Sequence, residues 1–313
     1  MKIVFFGSDD FAATSLDKLI REGHQVAGVV TKPDRARGRG MKITLLPVKM
    51  IALEHLIPLF QPENLEDPEF KEKIFKLQAD LFVVIAYGKI LPPALLAMPE
   101  KYCVNVHASL LPKYRGAAPI NWALINGETR TGVTIIRMNE KMDAGDILAR
   151  HDTDIPFEIN ARDLREKLAD LGASVLAETI SLIGQGLEKP TPQNEKEATF
   201  APKLTRETGR IDWDDPAGKI HNLVRGLVPW PCAETDFKGK KLKILETEIF
   251  SEEKFTALPG TVIKLIPEGI VVVSGRGSLL LKRVHLEASK PMDGRSFSVG
   301  HAIRIGDIFG GEK

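Results

Sequence analysis

The chain is expected to be a two-domain α/β protein, a doubly wound sheet followed by a small OB-like β-barrel. Three observations carry this expectation. Strand-like and helix-like segments alternate through residues 2–185, the pattern of βαβ units around a mostly parallel sheet. Short β-rich runs separated by Gly- and Pro-containing turns take over beyond residue 242. Between these textures lies a charged stretch holding Pro190, Pro192 and Pro202, and the 313 residues exceed the ~250–300 at which single cores stop growing.

In chain order, residues 2–6 predict a buried strand, Gly7 and Ser8 a turn, and residues 10–22 a helix. Gly23 then precedes a strand over 25–30, completing one strand–helix–strand unit. Residues 47–56 and 69–78 predict helices around a short strand at 59–60, and 81–86 a third long apolar strand. Val104 and Val106 alternate with Cys103, Asn105 and His107, which is strand periodicity. Residues 131–138 are β-branched and alternating, and 147–155 predict another strand. A long amphipathic helix is expected over 161–185, with Leu164, Leu168, Leu171, Val175, Leu176, Thr179 and Leu182 at near-helical spacing. A short helix over 214–226 and strands over 242–250, 260–265, 269–274 and 278–285 follow. The domains implied are 1–188, a linker at 189–204, and 205–313.

Composition is that of an ordinary globular chain, 43% hydrophobic and 27% charged. A formal net charge of +1 supplies no global field toward nucleic acid. The two cysteines, Cys103 and Cys232, have no C-x-x-C spacing and read as reduced, buried thiols. No apolar run reaches the ~18–20 residues of a membrane span, and residues 1–6 are too short for a secretory segment. A cytoplasmic protein with no membrane attachment is the expectation. The first turn, Gly7-Ser8-Asp9-Asp10-Phe11, lacks two of the three glycines of a dinucleotide fingerprint, against a nicotinamide dehydrogenase.

Asn105 and His107 share one strand face, ahead of a loop marked by Pro112 and Gly116. An amide donor beside an imidazole suits a reaction that develops charge on a carbonyl oxygen and moves a proton; the same pair can also simply satisfy buried backbone groups. Asp143, in Met142-Asp-Ala-Gly145, is expected at the same crevice of a parallel sheet, where it would orient the imidazole, or else it only forms the turn. Lys32, Arg35, Arg37, Arg39 and Lys42 face one acidic residue, Asp34, in a Gly-rich loop. That loop is either a polyphosphate contact or a solvated surface. Lys238, Lys240, Lys241 and Lys243, with Arg276, Lys282 and Arg283, either line a nucleic-acid face of the barrel or are ordinary surface charges. Ala86-Tyr87-Gly88 and Leu91 could present backbone to a flat heterocycle, or pack in the core. Phe11, beside the same crevice, reads either as substrate pocket or as core. No clustered metal-ligand set is present.

Together, Asn105-x-His107, Ser109-Leu110-Leu111-Pro112 and Asp143-Ala144-Gly145 resemble the signature of the folate-dependent formyltransferases. The resemblance covers the whole chain. Four further features resemble the branch that acts on methionyl-tRNA: the loop from Thr31-Lys-Pro-Asp-Arg35 through Arg37-Gly-Arg-Gly40, the run Ala86-Tyr-Gly-Lys-Ile-Leu-Pro92, Arg115-Gly-Ala-Ala-Pro-Ile120, and Val228-Pro-Trp-Pro231. The resemblance implies a Rossmann-like formyltransferase domain joined to an OB-like tRNA-binding domain, and a monomer without metal. It implies 10-formyltetrahydrofolate as donor and the α-amine of initiator methionyl-tRNA as acceptor. Asn105, His107 and Asp143 would be the catalytic set. Ser109, Leu110, Leu111, Pro112, Ala86, Tyr87, Gly88 and Leu91 would hold the folate, and Phe11 the methionyl group. The basic loop, Lys32 to Lys42, would meet the tRNA acceptor end. One departure stands in the first turn, where the family usually has proline and this chain has Asp9. The alternatives are a nucleotide-sugar N-formyltransferase with the same catalytic set, and a non-catalytic RNA-binding protein.

Overall fold

The computed structural model describes residues 1–37, 42–43 and 45–311. The chain divides into two compact units: 1–116 with 130–153 and 165–200, and 117–129 with 154–164 and 201–313.

The first unit is built on a seven-stranded sheet. Its order is Ile147–Asp154, Arg130–Arg137, Tyr102–His107, Leu81–Ile85, Lys2–Gly7, Gln25–Val30, Leu59–Phe60. The last five of these run parallel. Leu81–Ile85 is buried at every position, and in Lys2–Gly7 only Lys2 is partly exposed. Continuous apolar runs are what central parallel strands require, because both faces are covered. Asp10–Arg21 is helical because Asp9 caps it, accepting from the Ala12 amide at 3.2 Å, while Phe11, Ala12, Leu16 and Leu19 fall on one buried face.

Parallel order fails at Arg130–Arg137. That strand runs antiparallel to Tyr102–His107, with Val104 opposite Arg137 and His107 opposite Thr134. Alternation of β-branched residues specifies a strand and one face of it, but not its direction, so the expectation of a shared parallel edge for His107 and Asp143 is corrected.

The stretch 189–204, expected as a linker, carries contacts of its own. Thr191 pairs with Ile147, the Arg115 amide donates to the Thr199 carbonyl at 2.9 Å, and residues through 200 belong to the first unit. Residues 117–129 and 154–164 group by their contacts with the second unit. The reason is packing of the Pro119–Ile125 helix on Ala217–Leu227. Asn121 Nδ2 donates to the Gly226 carbonyl at 2.7 Å, and a Cβ at Gly226 would stand 2.8 Å from Ile125 Cγ1, so only glycine allows the approach.

The second unit carries an antiparallel sheet in the order Ala233–Phe237, Lys240–Ser251, Ser278–Leu286, Gly269–Val273, Val262–Ile266. Met292–Asp293 pairs with Ser278–Leu286. Its core joins Trp213, Ile220, Val224, Phe237, Leu242, Leu281, Phe297 and Phe309. No helix among the described residues is long and apolar enough to cross a membrane.

Candidate active site

Asn105 and His107 end the Tyr102–His107 strand, two residues apart and on one face. The alternate residue Val106 faces the Ala161–Gln185 helix, where a Cβ at Gly172 would lie 3.0 Å from Val106 Cγ1. His107 is 6% exposed. Its Nε2 lies 2.9 Å from the Tyr114 carbonyl oxygen. A carbonyl only accepts, so Nε2 carries the hydrogen in this arrangement. Nδ1 lies 3.6 Å from Asp143 Oδ2.

Asp143 reaches this position through a turn that doubles back. The Arg137 amide donates to the Asp146 carbonyl at 2.8 Å, closing the loop. Gly145 lies so near that an added Cβ would overlap the Arg137 carbonyl oxygen. Asp143 itself is left-handed, with φ 51°, a conformation Asp tolerates better than most L residues. Its Oδ2 accepts from the Gly116 amide at 2.9 Å and its Oδ1 from Asn105 Nδ2 at 3.5 Å. Asn105, His107 and Asp143 are thus brought together. A carboxylate, an imidazole and an amide converge at the C-terminal end of a parallel strand, the side on which open α/β sheets bind ligands. This set can donate hydrogen bonds to a developing oxyanion and accept a proton.

Beside the turn is an open cleft of about 710 Å³, lined by Pro93, Leu96, Ala97, Asn139, Lys141, Ala144 and Glu195 among others. That volume lies within the range of small-molecule sites. Ala86 and Gly88 are exposed and left-handed, φ 46° and 70°, so main chain is presented there. The Tyr87 side chain turns inward instead. It packs edge-on against Phe6 at 5.6 Å, and burial pushes its phenol up to about 12. Leu91 lies in the same core. Ser109, Leu111 and Pro112 are buried and Leu110 half-buried. Ser109 Oγ donates to the Lys113 carbonyl at 2.7 Å, and Thr134 Oγ1 accepts from the Leu111 amide and donates to the Ser109 carbonyl. These residues shape the loop after His107, with Leu110 keeping side-chain surface.

Phe11 is 4% exposed, with the Arg165 guanidinium 5.2 Å from its ring centroid. Asp9, standing where the family has proline, caps the helix and pairs with Arg165.

The foot of the basic loop is anchored. Gln61 Nε2 donates to the Lys32 carbonyl at 2.8 Å and to Asp34 Oδ1 at 3.3 Å. Lys49 pairs with Asp34 and holds its carboxyl below the ordinary value. Lys32 Nζ lies over Gly88, and Arg35 is exposed with Glu63 at 3.5 Å. Ala36–Arg37 and Lys42–Ile43 pair antiparallel, Arg37 opposite Lys42. Arg39 lies outside the described residues. In the second unit Lys241 pairs with Glu234 and Lys282 with Glu246, so those two cations are locally neutralised. Among the described residues no three His, Cys, Asp or Glu side chains converge on a metal-sized site.

Sequence reasoning missed Arg115 and Gln193 as supports of the site. Arg115 is 5% exposed and binds Gln193 and Glu195, while Gln193 donates to the carbonyls of Asp143 and Gly145. Interactions made through main chain leave no mark on residue type at the receiving position.

Residues 1–180 match the family described as Formyl transferase, and 203–302 its C-terminal domain. A protein named methionyl-tRNA formyltransferase from Acetivibrio thermocellus is 45% identical over 310 residues, spanning 99% of this chain and 100% of its own. One of the same name from Caldanaerobacter subterraneus is 46% identical over 309 residues, 98% and 99%. Among solved structures, HypX from Aquifex aeolicus in complex with tetrahydrofolic acid aligns with TM-score 0.66 at 19% identity, covering 98% of this chain and 48% of that one. This chain therefore spans about half of HypX. An N-formyltransferase from Helicobacter canadensis, bound to folinic acid and dTDP-3-aminofucose, aligns with TM-score 0.67 at 18% identity over 90% of this chain and 98% of that one. The structural likenesses show a shared fold, and the sequence matches run from end to end: the chain belongs to the formyl transferase family, in its methionyl-tRNA formyltransferase branch.

Proposed function

We propose that this chain transfers the formyl group of 10-formyltetrahydrofolate to the α-amine of methionyl initiator tRNA in the cytoplasm. The observation that carries this reading is the convergence of Asn105, His107 and Asp143 in a chain 45% identical to a named methionyl-tRNA formyltransferase over its full length.

The amine attacks the formyl carbon, and a tetrahedral oxyanion forms. The Asn105 amide and the His107 imidazole donate to that oxygen; for His107 this means exchanging the Tyr114 carbonyl for the reacting oxygen or presenting a protonated Nδ1. As the new N–C bond replaces the bond to the folate N10, one proton passes from the amine to N10. Asp143, 3.6 Å from the imidazole, accepts or relays that proton and holds the ring in register. The exposed main chain at 86–88 and the cleft beside Ala144 are assigned to the donor, with Lys141 facing its anionic tail. Lys32, Arg35, Arg37, Arg39 and Lys42 are assigned to tRNA phosphates, and Phe11 to the wall of the methionyl pocket.

The test is a formyl-transfer assay with charged initiator tRNA and, in parallel, a nucleotide-linked amino sugar. Transfer to the tRNA alone is expected. Loss of one oxyanion donor costs ~10²–10³ in rate, so Asn105→Ala and His107→Ala should each fall by about that factor, and Asp143→Asn, which loses the proton acceptor, by ~10²–10⁴, all while remaining folded. Transfer to the sugar alone overturns the acceptor assignment; near-normal transfer by any variant removes that residue's role.

A further inference from the structure

All four hydrogen-bonding positions of the Gln193 amide are in use. Oε1 accepts from Arg115 Nε at 3.1 Å and Nη2 at 2.8 Å. Nε2 donates to the carbonyl oxygen of Asp143 at 2.8 Å and to that of Gly145 at 2.7 Å. Two donors toward carbonyls and two donors received from a guanidinium also fix which way the amide points. Glutamate would keep the acceptor half and lose the donors. Methionine would keep the length and lose both. Asparagine would fall short by one methylene.

Arg115 extends the grip. Its guanidinium is closed off by Glu195, through Nη1 at 2.9 Å and Nη2 at 2.8 Å. The next residue, Gly116, donates its amide to Asp143 Oδ2 at 2.9 Å. Gln193 therefore holds Asp143 twice, by its main chain directly and by its carboxylate through Arg115 and Gly116. Without such a hold a left-handed Asp in a tight turn relaxes toward commoner backbone conformations, and the carboxylate swings relative to the imidazole. The same short segment fixes the other side of His107, since Thr199 Oγ1 accepts from the amide of Tyr114 at 2.9 Å, and the Tyr114 carbonyl meets Nε2.

We propose that Gln193 is a positioning residue for formyl transfer, its amide fixing the Asp143 carboxylate against His107 from a segment that reads as a linker. This deepens the proposed function and rests on it. Displacement of a reacting group by about 1 Å costs on the order of 10²-fold. Gln193→Met should therefore lower kcat for methionyl-tRNA about 10- to 100-fold, with the KM for tRNA unchanged. In an Asp143→Asn background the same change should cost less than about twofold, because the carboxylate it positions is gone. Gln193→Glu keeps the side-chain length and an acceptor for Arg115 but turns a carboxylate oxygen toward the Asp143 and Gly145 carbonyls, and should lose kcat to a similar extent; whichever of the two variants melts like the wild type decides the matter. Wild-type kcat in either folded variant overturns the positioning role, as does an equal cost in both Asp143 backgrounds, which is the behaviour of a purely structural residue. A wild-type chain that does not formylate methionyl-tRNA is a separate result, overturning the functional reading and this role with it.

Discussion

His107 Nδ1 and Asp143 Oδ2 lie 3.6 Å apart although the strand that leads to Asp143 runs against the one that ends in His107. Two strands ending on one edge do not produce this proximity. A turn that folds back over its own strand produces it, closed by the Arg137–Asp146 hydrogen bond. The site therefore depends on the turn's backbone as much as on its three side chains.

Gly145→Ala tests that dependence. An added Cβ would overlap the Arg137 carbonyl oxygen, and a backbone atom cannot step aside as a flexible side chain can. Overpacking of this kind costs ~1–3 kcal/mol, and the displaced turn carries Asp143 with it. Reduced thermal stability together with a kcat loss of about tenfold or more is expected. Gly300→Ala, where nothing lies within 4 Å, should change neither. Wild-type kcat in Gly145→Ala would show that the turn has slack.

Residues 25–30, 59–60 and 161–185 were legible to the residue, because Gly23 and apolar period mark their limits. The shared face of Asn105 and His107 was legible from period-two alternation. The antiparallel direction of Arg130–Arg137 was not, since pairing direction has no local signature. The strand Ala233–Phe237 was hidden because the residues on its less buried face are Glu234 and Asp236, which argue for a loop when read alone. Gln193 was hidden by its prolines: Pro190 and Pro192 signal an irregular path, and an irregular path is compatible with a tightly bonded one.

The basic loop makes a prediction about salt. If the loop meets tRNA as proposed, replacing Arg35, Arg37 and Arg39 by Ala together removes up to three cations from the phosphate contact. The KM for tRNA should rise, and the slope of log affinity against log salt should fall by about 0.7–0.9 for each phosphate left without its arginine. Titration of tRNA binding across ionic strength measures it. An unchanged slope removes these side chains from the RNA interface.

Cys103 should be inert in the native protein. It is 1% exposed, its thiol donates to the Leu96 carbonyl at 3.5 Å, and burial pushes it up to about 12. The thiolate is the reactive species, so alkylation by iodoacetamide at about pH 8 should spare Cys103 until denaturant is added, as read by mass spectrometry. The sign for stability follows. A thiol raised in the fold favours the native state fully below its unfolded value, and that contribution is lost as pH rises toward 12. Rapid labelling of Cys103 in native conditions would contradict the burial.

His221 predicts the opposite limb for the second unit. It is 3% exposed, its Nδ1 lies 3.0 Å from Thr247 Oγ1, and its ring stacks on Phe157 at 5.0 Å. Burial lowers it below its ordinary value of 6.5; Arg225 adds to the lowering, and Glu158 and Glu248 oppose it. The neutral ring is thus the native form. In the unfolded chain the ring takes a proton as pH falls through 6.5, while the folded ring resists. Stability should therefore be full above that pH and decline below it, by at most about 1.4 kcal/mol per pH unit for one proton. His221→Gln keeps a polar group near Thr247 and removes the titration. Denaturant unfolding of the second unit between pH 5 and 8, roughly the window in which histidine changes charge, should lose this part of its slope in the variant. An identical pH dependence in wild type and His221→Gln would place the titrating group elsewhere.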